Sequence, residues 1–144
     1  MLKYPRRLFT AALADFLRRE HGLGLSGGGG LNSTELAHKV VDLVEEKQAE
    51  DIVLLDLRQV SILADYFVIC SATTERQTRT ILDTLTEQIK EEGVRPLHVE
   101  GEMGGGWLLI DYGDVIVHVF APAQRAYYQL EDLWQHAAVV VKIQ

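Results

Sequence analysis

Cysteine is nearly missing from this chain: Cys70 stands alone. That excludes an intramolecular disulfide framework and any metal site built from clustered thiolates, so the fold must rest on its core. Proline is scarce too, with 3 in 144 residues, which argues against an extended or linker-like chain. No apolar stretch approaches the ~20 residues needed to cross a bilayer. The run Leu8 to Leu17 follows Arg6 and Arg7 as a secretion signal would, but Asp15 interrupts it and no small-residue cleavage site follows. The expectation is an intracellular, cytoplasmic protein with no membrane partner; an organellar transit peptide stays open, because residues 1–30 are basic.

Positive charge is in the minority, and its distribution is uneven. The formal net charge is −7, yet residues 1–30 contribute +3, so residues 31–144 carry nine Lys/Arg against nineteen Asp/Glu. An acidic body of this kind repels phosphate, which excludes direct DNA binding as an expectation. Docking onto a basic protein is favoured instead.

What is present reads as one globular domain: 47% of residues are hydrophobic and 24% charged. The stretch from Gly22 to Gly30 holds six of the twelve glycines and reads as a flexible linker. It divides an N-terminal extension (residues 1–30) from the main domain (31–136), with residues 137–144 expected as a tail. Before the linker, Leu8, Phe9, Ala12, Leu13, Phe16 and Leu17 have the spacing of a short amphipathic helix, either a surface anchor, a ribosome-seeking arm or a plain extension. After it, Asn32 and Glu35 have capping-box spacing before the stripe Leu36, Val40, Leu43 and Val44. Strands are expected at Ile52 to Leu57, Tyr66 to Cys70 and Leu97 to Glu100. Between the last two, a helix starts at Thr74 and closes at Gly93. A hairpin, Trp107–Asp111 and Asp114–Phe120, turns at Tyr112-Gly113. One helix from Pro122 to Trp134 ends the domain. The order α-β-β-α-β-β-β-α gives an α/β (α+β mixed) domain, a mixed sheet of about five strands packed with helices.

The hairpin assigns residues to faces, because opposed residues share one. With that turn, Trp107 opposes His118 and Leu109 opposes Ile116. Leu108, Ile110, Val115, Val117 and Val119 form an aliphatic face, the obvious core. Trp107, Leu109, Asp111, Asp114, Ile116, His118 and Phe120 form the other, whose mixed chemistry suits a surface that is partly open or covered by something else. His98 and Glu100 continue that pattern on the neighbouring strand. A tryptophan on such a face is a good binding anchor. The alternative is burial beneath the chain's own helices.

Other chemistry is thin. The five histidines show no ligand spacing, so no metal and no cofactor are expected. Asp111 and Asp114 flank a turn, where Asp serves local hydrogen bonds. The Gly101–Gly106 loop holds an acidic residue and no lysine and precedes no helix, so it lacks what a phosphate cradle requires. Asp65 stands before a strand, able to hold the preceding loop.

Several blocks resemble one family. Ala49–Val53, Asp65–Ile69, Arg76-Gln77, Pro96–Gly101, Trp107, Asp111–Phe120 and Tyr127–Trp134 stand in the order found in the ribosomal silencing factor family RsfS, also called Iojap. The resemblance covers residues 34 to 136; the N-terminal extension and the end of the chain lie outside it. It implies a translational repressor that catalyses nothing, binds the large ribosomal subunit through the fourteenth large-subunit protein, and blocks subunit joining. It also implies a nucleotidyltransferase-like topology, and Trp107 as part of the contact surface. Face geometry adds Leu109, Asp111, His118 and His98 around it. The rival reading is a nucleotidyltransferase-like enzyme or another protein-interaction module. Against the enzyme, Ser71-Ala72 stands where a Gly-Ser phosphate grip would be, and no Asp-x-Asp follows on the next strand. An open apolar sheet face would also invite a homodimer when no ribosome is present.

Overall fold

The structure is a computed structural model that describes residues 31–144. The expected amphipathic helix and glycine linker lie outside the described residues. The first helix, α1 (Ser33–Glu46), begins at the expected capping box: Asn32 Oδ1 accepts the Glu35 N–H at 2.8 Å, and Glu35 Oε1 accepts the Asn32 N–H. Its buried stripe, Leu36, Ala37, Val40, Val41, Leu43 and Val44, faces the sheet. Strands β1 (Glu50–Asp56) and β2 (Tyr66–Ser71) follow, then α2 (Glu75–Glu91), which buries Ile81, Leu85 and Ile89.

Thr74 caps α2 as expected, accepting the Gln77 N–H at 3.0 Å. Gln77 does not return to the cap residue. Its carboxamide donates to Lys47 O and Gln48 O, tying the start of α2 to the end of α1. Gly93, at φ +86°, lets the chain leave the helix in the left-handed region. After β3 (His98–Glu100) and a short 3₁₀ turn (Met103–Gly105) come β4 (Trp107–Asp111), β5 (Val115–Phe120), α3 (Pro122–Tyr128), α4 (Leu130–Leu133) and β6 (Ala138–Ile143).

The six strands lie in the order β3-β4-β5-β2-β1-β6, with β2 and β5 parallel and all other neighbours antiparallel. The mixed α/β class expected from the sequence is the class observed. Three details differ. The segment expected as a tail is the sixth strand: Ala138 to Ile143, rich in β-branched residues, pairs with β1 at the sheet edge. The helix expected from Pro122 to Trp134 is broken in two at Gln129, whose φ is +47°. The hairpin turn is also displaced. Tyr112 N–H donates to Val115 O, so Gly113 and Asp114 form the loop, with Gly113 at φ +94° in the first central position. Trp107 therefore opposes Phe120, and Leu109 opposes His118. The register error is two residues, an even number, so every side chain keeps its expected face.

Both edges of the sheet are blunted: β3 has three residues, and β6 carries a bulge at Val140 and a lysine at 142. Both faces are covered over the central strands. One lies under α1 and α2 and is aliphatic, joining Leu54, Val68, Leu108, Ile110, Val117 and Val119. The other lies under α3, α4 and the segment leading to β6, and joins Val53, Leu55, Phe67, Ile69, Leu109, Ile116 and Phe120 to Tyr128 and Leu130. Among the described residues, apolar exposure on the sheet is confined to its edges, at Val99 on β3 and at Val139 and Val140 on β6.

Candidate functional site

Trp107 opens β4 next to Gly106, whose φ of +81° ends the 3₁₀ turn. A Cβ on Gly106 would meet Gln124 at 2.4 Å, and one on Gly101 would meet Trp107 O at 2.3 Å. The glycines of this loop thus serve close approach of backbone to β4 and α3 rather than a phosphate. The indole is half-buried. It rests against Phe120 and Tyr128 at centroid distances of 4.4 and 4.5 Å, and its Nε1–H donates to His118 Nδ1 at 3.1 Å. That bond requires an unprotonated Nδ1, so the ring proton of neutral His118 sits on Nε2. Burial pushes the imidazole down to about 3, which keeps it neutral and able to accept. Nε2 lies in the aromatic cluster with no hydrogen-bond partner among the described residues.

The residues grouped with Trp107 from the sequence are not all surface groups. Leu109, Asp111 and His118 are 4%, 0% and 0% exposed, because α3 and α4 cover the face that carries them. Asp111 Oδ1 accepts the Gly113 N–H at 2.7 Å and holds the hairpin turn. His98 is partly exposed on β3, beside Glu100, whose carboxylate it contacts. So Trp107 and His98 reach the surface, and the other three support them from below. The face assignment was correct; what covers the face is not encoded in strand alternation.

The sequence reading missed exposed apolar groups near this rim. Leu97 and Val99, flanking His98, are 59% and 39% exposed, and Tyr127 on α3 is 49% exposed. Farther away, Ile62 projects fully into solvent from the β1–β2 loop. Leu97 and Val99 were legible as the alternate positions of a strand, but only the edge place of β3 leaves them bare. Asp65, expected to hold the preceding loop, instead accepts a bond from Ser33 Oγ at 2.8 Å and fixes the start of α1.

Beside Trp107 lies a cavity of about 160 Å³ between the start of α2, the 3₁₀ turn and strands β4 and β5. Behind the sheet end a wider cleft of about 540 Å³ runs between α3–α4 and β1/β6. Arg125 spans its wall, bonded to Glu131 Oε1 at 2.8 Å and to Ser71 Oγ at 3.1 Å. Ser71, where a nucleotidyltransferase-like grip would act, is thus buried and held by an arginine of its own chain. The buried thiol of Cys70, pushed up to about 12 by desolvation, is unreactive at neutral pH.

An acidic αβ domain with a half-buried tryptophan on one rim matches a known group of proteins. A family model described as ribosomal silencing factor during starvation, RsfS, fits residues 31–144. The chain belongs to the RsfS family. The match reaches the last residue, so the segment that was set apart as a tail lies within the family domain, in accord with its place as β6. Ribosomal silencing factor RsfS of Halalkalibacterium halodurans is 40% identical over 110 residues, which span 76% of this chain and 94% of that protein. Its Bacillus subtilis counterpart is 42% identical over 93 residues, 65% of this chain and 79% of that protein. A crystal structure from Chromobacterium violaceum superposes with a TM-score of 0.69 at 31% identity, covering 73% of this chain and 88% of that one. No described helix is long and apolar enough to cross a membrane.

Proposed function

We propose that this chain represses translation by binding the large ribosomal subunit through its fourteenth ribosomal protein and sterically blocking subunit joining, without catalysing a reaction. The observation that carries the reading is Trp107: a large aromatic, fixed by Phe120, Tyr128 and the buried His118, that keeps part of its surface in solvent on a body of net charge −10. A rigid indole loses little entropy on contact, and the acidic body steers encounter with a basic ribosomal protein. His98 extends the contact along β3; Leu109, Asp111 and His118 hold the anchor's shape from beneath. Such a role places the protein in the cytoplasm, where ribosomes assemble.

The decisive experiment is co-sedimentation with purified large subunits, paired with sucrose-gradient profiles. Wild-type protein is expected to travel with free large subunits and to lower the peak of joined ribosomes; Trp107→Ala is expected to fold and to lose both effects. Binding by the alanine variant at wild-type levels would refute the anchor. Because Ser71 is engaged by Arg125, calorimetry with nucleoside triphosphate and Mg²⁺ is expected to show no binding. Micromolar affinity there would restore the enzyme reading.

A further inference from the structure

The cavity beside Trp107 has a chemistry that the proposed contact leaves unassigned. Its floor is Ala72, Leu108 and Val119, each about 1% exposed, so it reaches the aliphatic core. Trp107 forms one wall. Glu75 and Glu102 stand at its mouth, and no lysine, arginine or histidine is among the residues that line it. A phosphate is the wrong occupant. Near the start of α2 the Gln77 N–H is taken by Thr74 Oγ and the Thr73 N–H by Gln77 Oε1, and both carboxylates would repel an anion. Apolar depth, an aromatic wall and an acidic rim together describe a receptor for a long side chain with an alkyl stem and a cationic end. A cavity of about 150 Å³ accommodates a benzene-sized group, so there is room for one side chain.

We propose that this cavity receives a single lysine or arginine side chain of the basic protein partner, its stem on Ala72, Leu108 and Val119 and its charged head between Glu75 and Glu102. This rests on the ribosome-binding reading and names the group that the site selects. It also gives Trp107 a second task, since the same indole that meets the partner's surface forms the wall against which the cation lies. A Cβ on Gly104 would come within 2.8 Å of Glu75 Oε1, so a side chain at position 104 would enter the mouth by displacing only the flexible end of Glu75.

Two measurements test it. In a Trp134→Phe background Trp107 is the sole tryptophan, and its fluorescence is quenched separately by Cs⁺ and by iodide at constant ionic strength. With each quencher scaled to its effect on free N-acetyltryptophanamide, Cs⁺ is expected to quench several-fold better. E75Q/E102Q should bring the two quenchers close to parity, while a control E45Q/E46Q, on the exposed end of α1, should not. Second, wild-type, E75Q/E102Q and Gly104→Lys proteins, each checked by circular dichroism, are titrated against purified large subunits. Both variants are expected to bind roughly ten-fold more weakly, one for want of the carboxylates and the other because its own lysine fills the site. Wild-type binding by E75Q/E102Q, or by Gly104→Lys, overturns the cavity assignment and leaves the Trp107 contact standing. Failure of the wild-type protein to bind large subunits overturns both.

Discussion

Under α1 and α2 the sheet presents mainly aliphatic residues, with Tyr66 and Tyr112 the buried rings among them, and both helices begin at side-chain caps. Under α3 and α4 it presents Phe67, His118, Phe120 and the edge of Trp107, covered by helices of seven and four residues that have no side-chain cap. Two buried ring nitrogens on this second side, His118 Nε2 and Trp134 Nε1, have no hydrogen-bond partner among the described residues, against one buried hydroxyl, Tyr112 Oη, on the first. Orphaned buried donors lower stability, and natural cores seldom keep them without a use. The contrast teaches where each task is located. The aliphatic side supplies stability, and the aromatic side trades some of it for a shaped, partly exposed anchor.

Truncating the aliphatic side should therefore have the largest effect on stability and the least on binding. Leu85→Ala, at a fully buried position of α2, is expected to cost about 2–5 kcal/mol in urea unfolding. Binding to large subunits per folded molecule should be unchanged. Trp107→Ala is expected to show the reverse pattern, a smaller stability loss because the indole is only half-buried, with binding abolished. If both variants lost stability and binding in parallel, the division between faces would be wrong.

Acid should separate the faces as well. The unfolded His118 side chain takes up a proton near 6.5, whereas burial holds the folded one down to about 3. The unfolded state thus binds more protons between these values. Stability from this residue is complete above pH 6.5 and falls as pH drops, by about 1.4 kcal/mol per unit, or about 2 kcal/mol by pH 5. His118→Gln removes the titrating group, so the difference in unfolding free energy between wild type and variant should shrink steadily from pH 7 to pH 5. A pH-independent difference would mean that folded His118 takes up its proton near the unfolded value of 6.5, so that burial does not keep Nδ1 free for the Trp107 bond at pH 5. Trp107→Phe tests that bond at neutral pH: it retains an aromatic ring, removes the N–H, and should cost about 1 kcal/mol.

Much of this architecture was legible in the residues. Capping at Asn32 and Thr74, the stripe of α1 and the alternation of β4 and β5 are local signals, and each element formed where its signal lay. The hairpin shows a limit. Gly113 permits positive φ at either central turn position, and the sequence alone could not choose between them, but the two-residue displacement left the faces intact. Gln129 breaks the C-terminal helix without glycine or proline, so only tertiary contacts could reveal the break. Ala138 to Ile143 carried strand propensity, but pairing with a strand some ninety residues earlier is a long-range fact. The site was half legible for the same reason. Sharing a face brought Trp107, Leu109, Asp111 and His118 together, while α3 and α4 decided which of them meets solvent.

The smallest effect concerns the start of α3. Asn32 gives α1 a full capping box, whereas α3 begins at Ala121, whose backbone has the extended conformation of an N-cap, φ −70° and ψ 148°, with a side chain that cannot accept a bond. A serine there could satisfy an N–H in the first turn without changing the backbone, and Ala121 is not fully buried, so the hydroxyl has room. Ala121→Ser should raise stability by about 0.5 kcal/mol, against a loss of about 1 kcal/mol for Asn32→Ala on the other side of the sheet. Opposite signs at equivalent positions would show that α3 was left uncapped rather than capped by other means. A loss at both would show that the alanine methyl, which lines the cavity beside Trp107, matters more than the missing hydrogen bond.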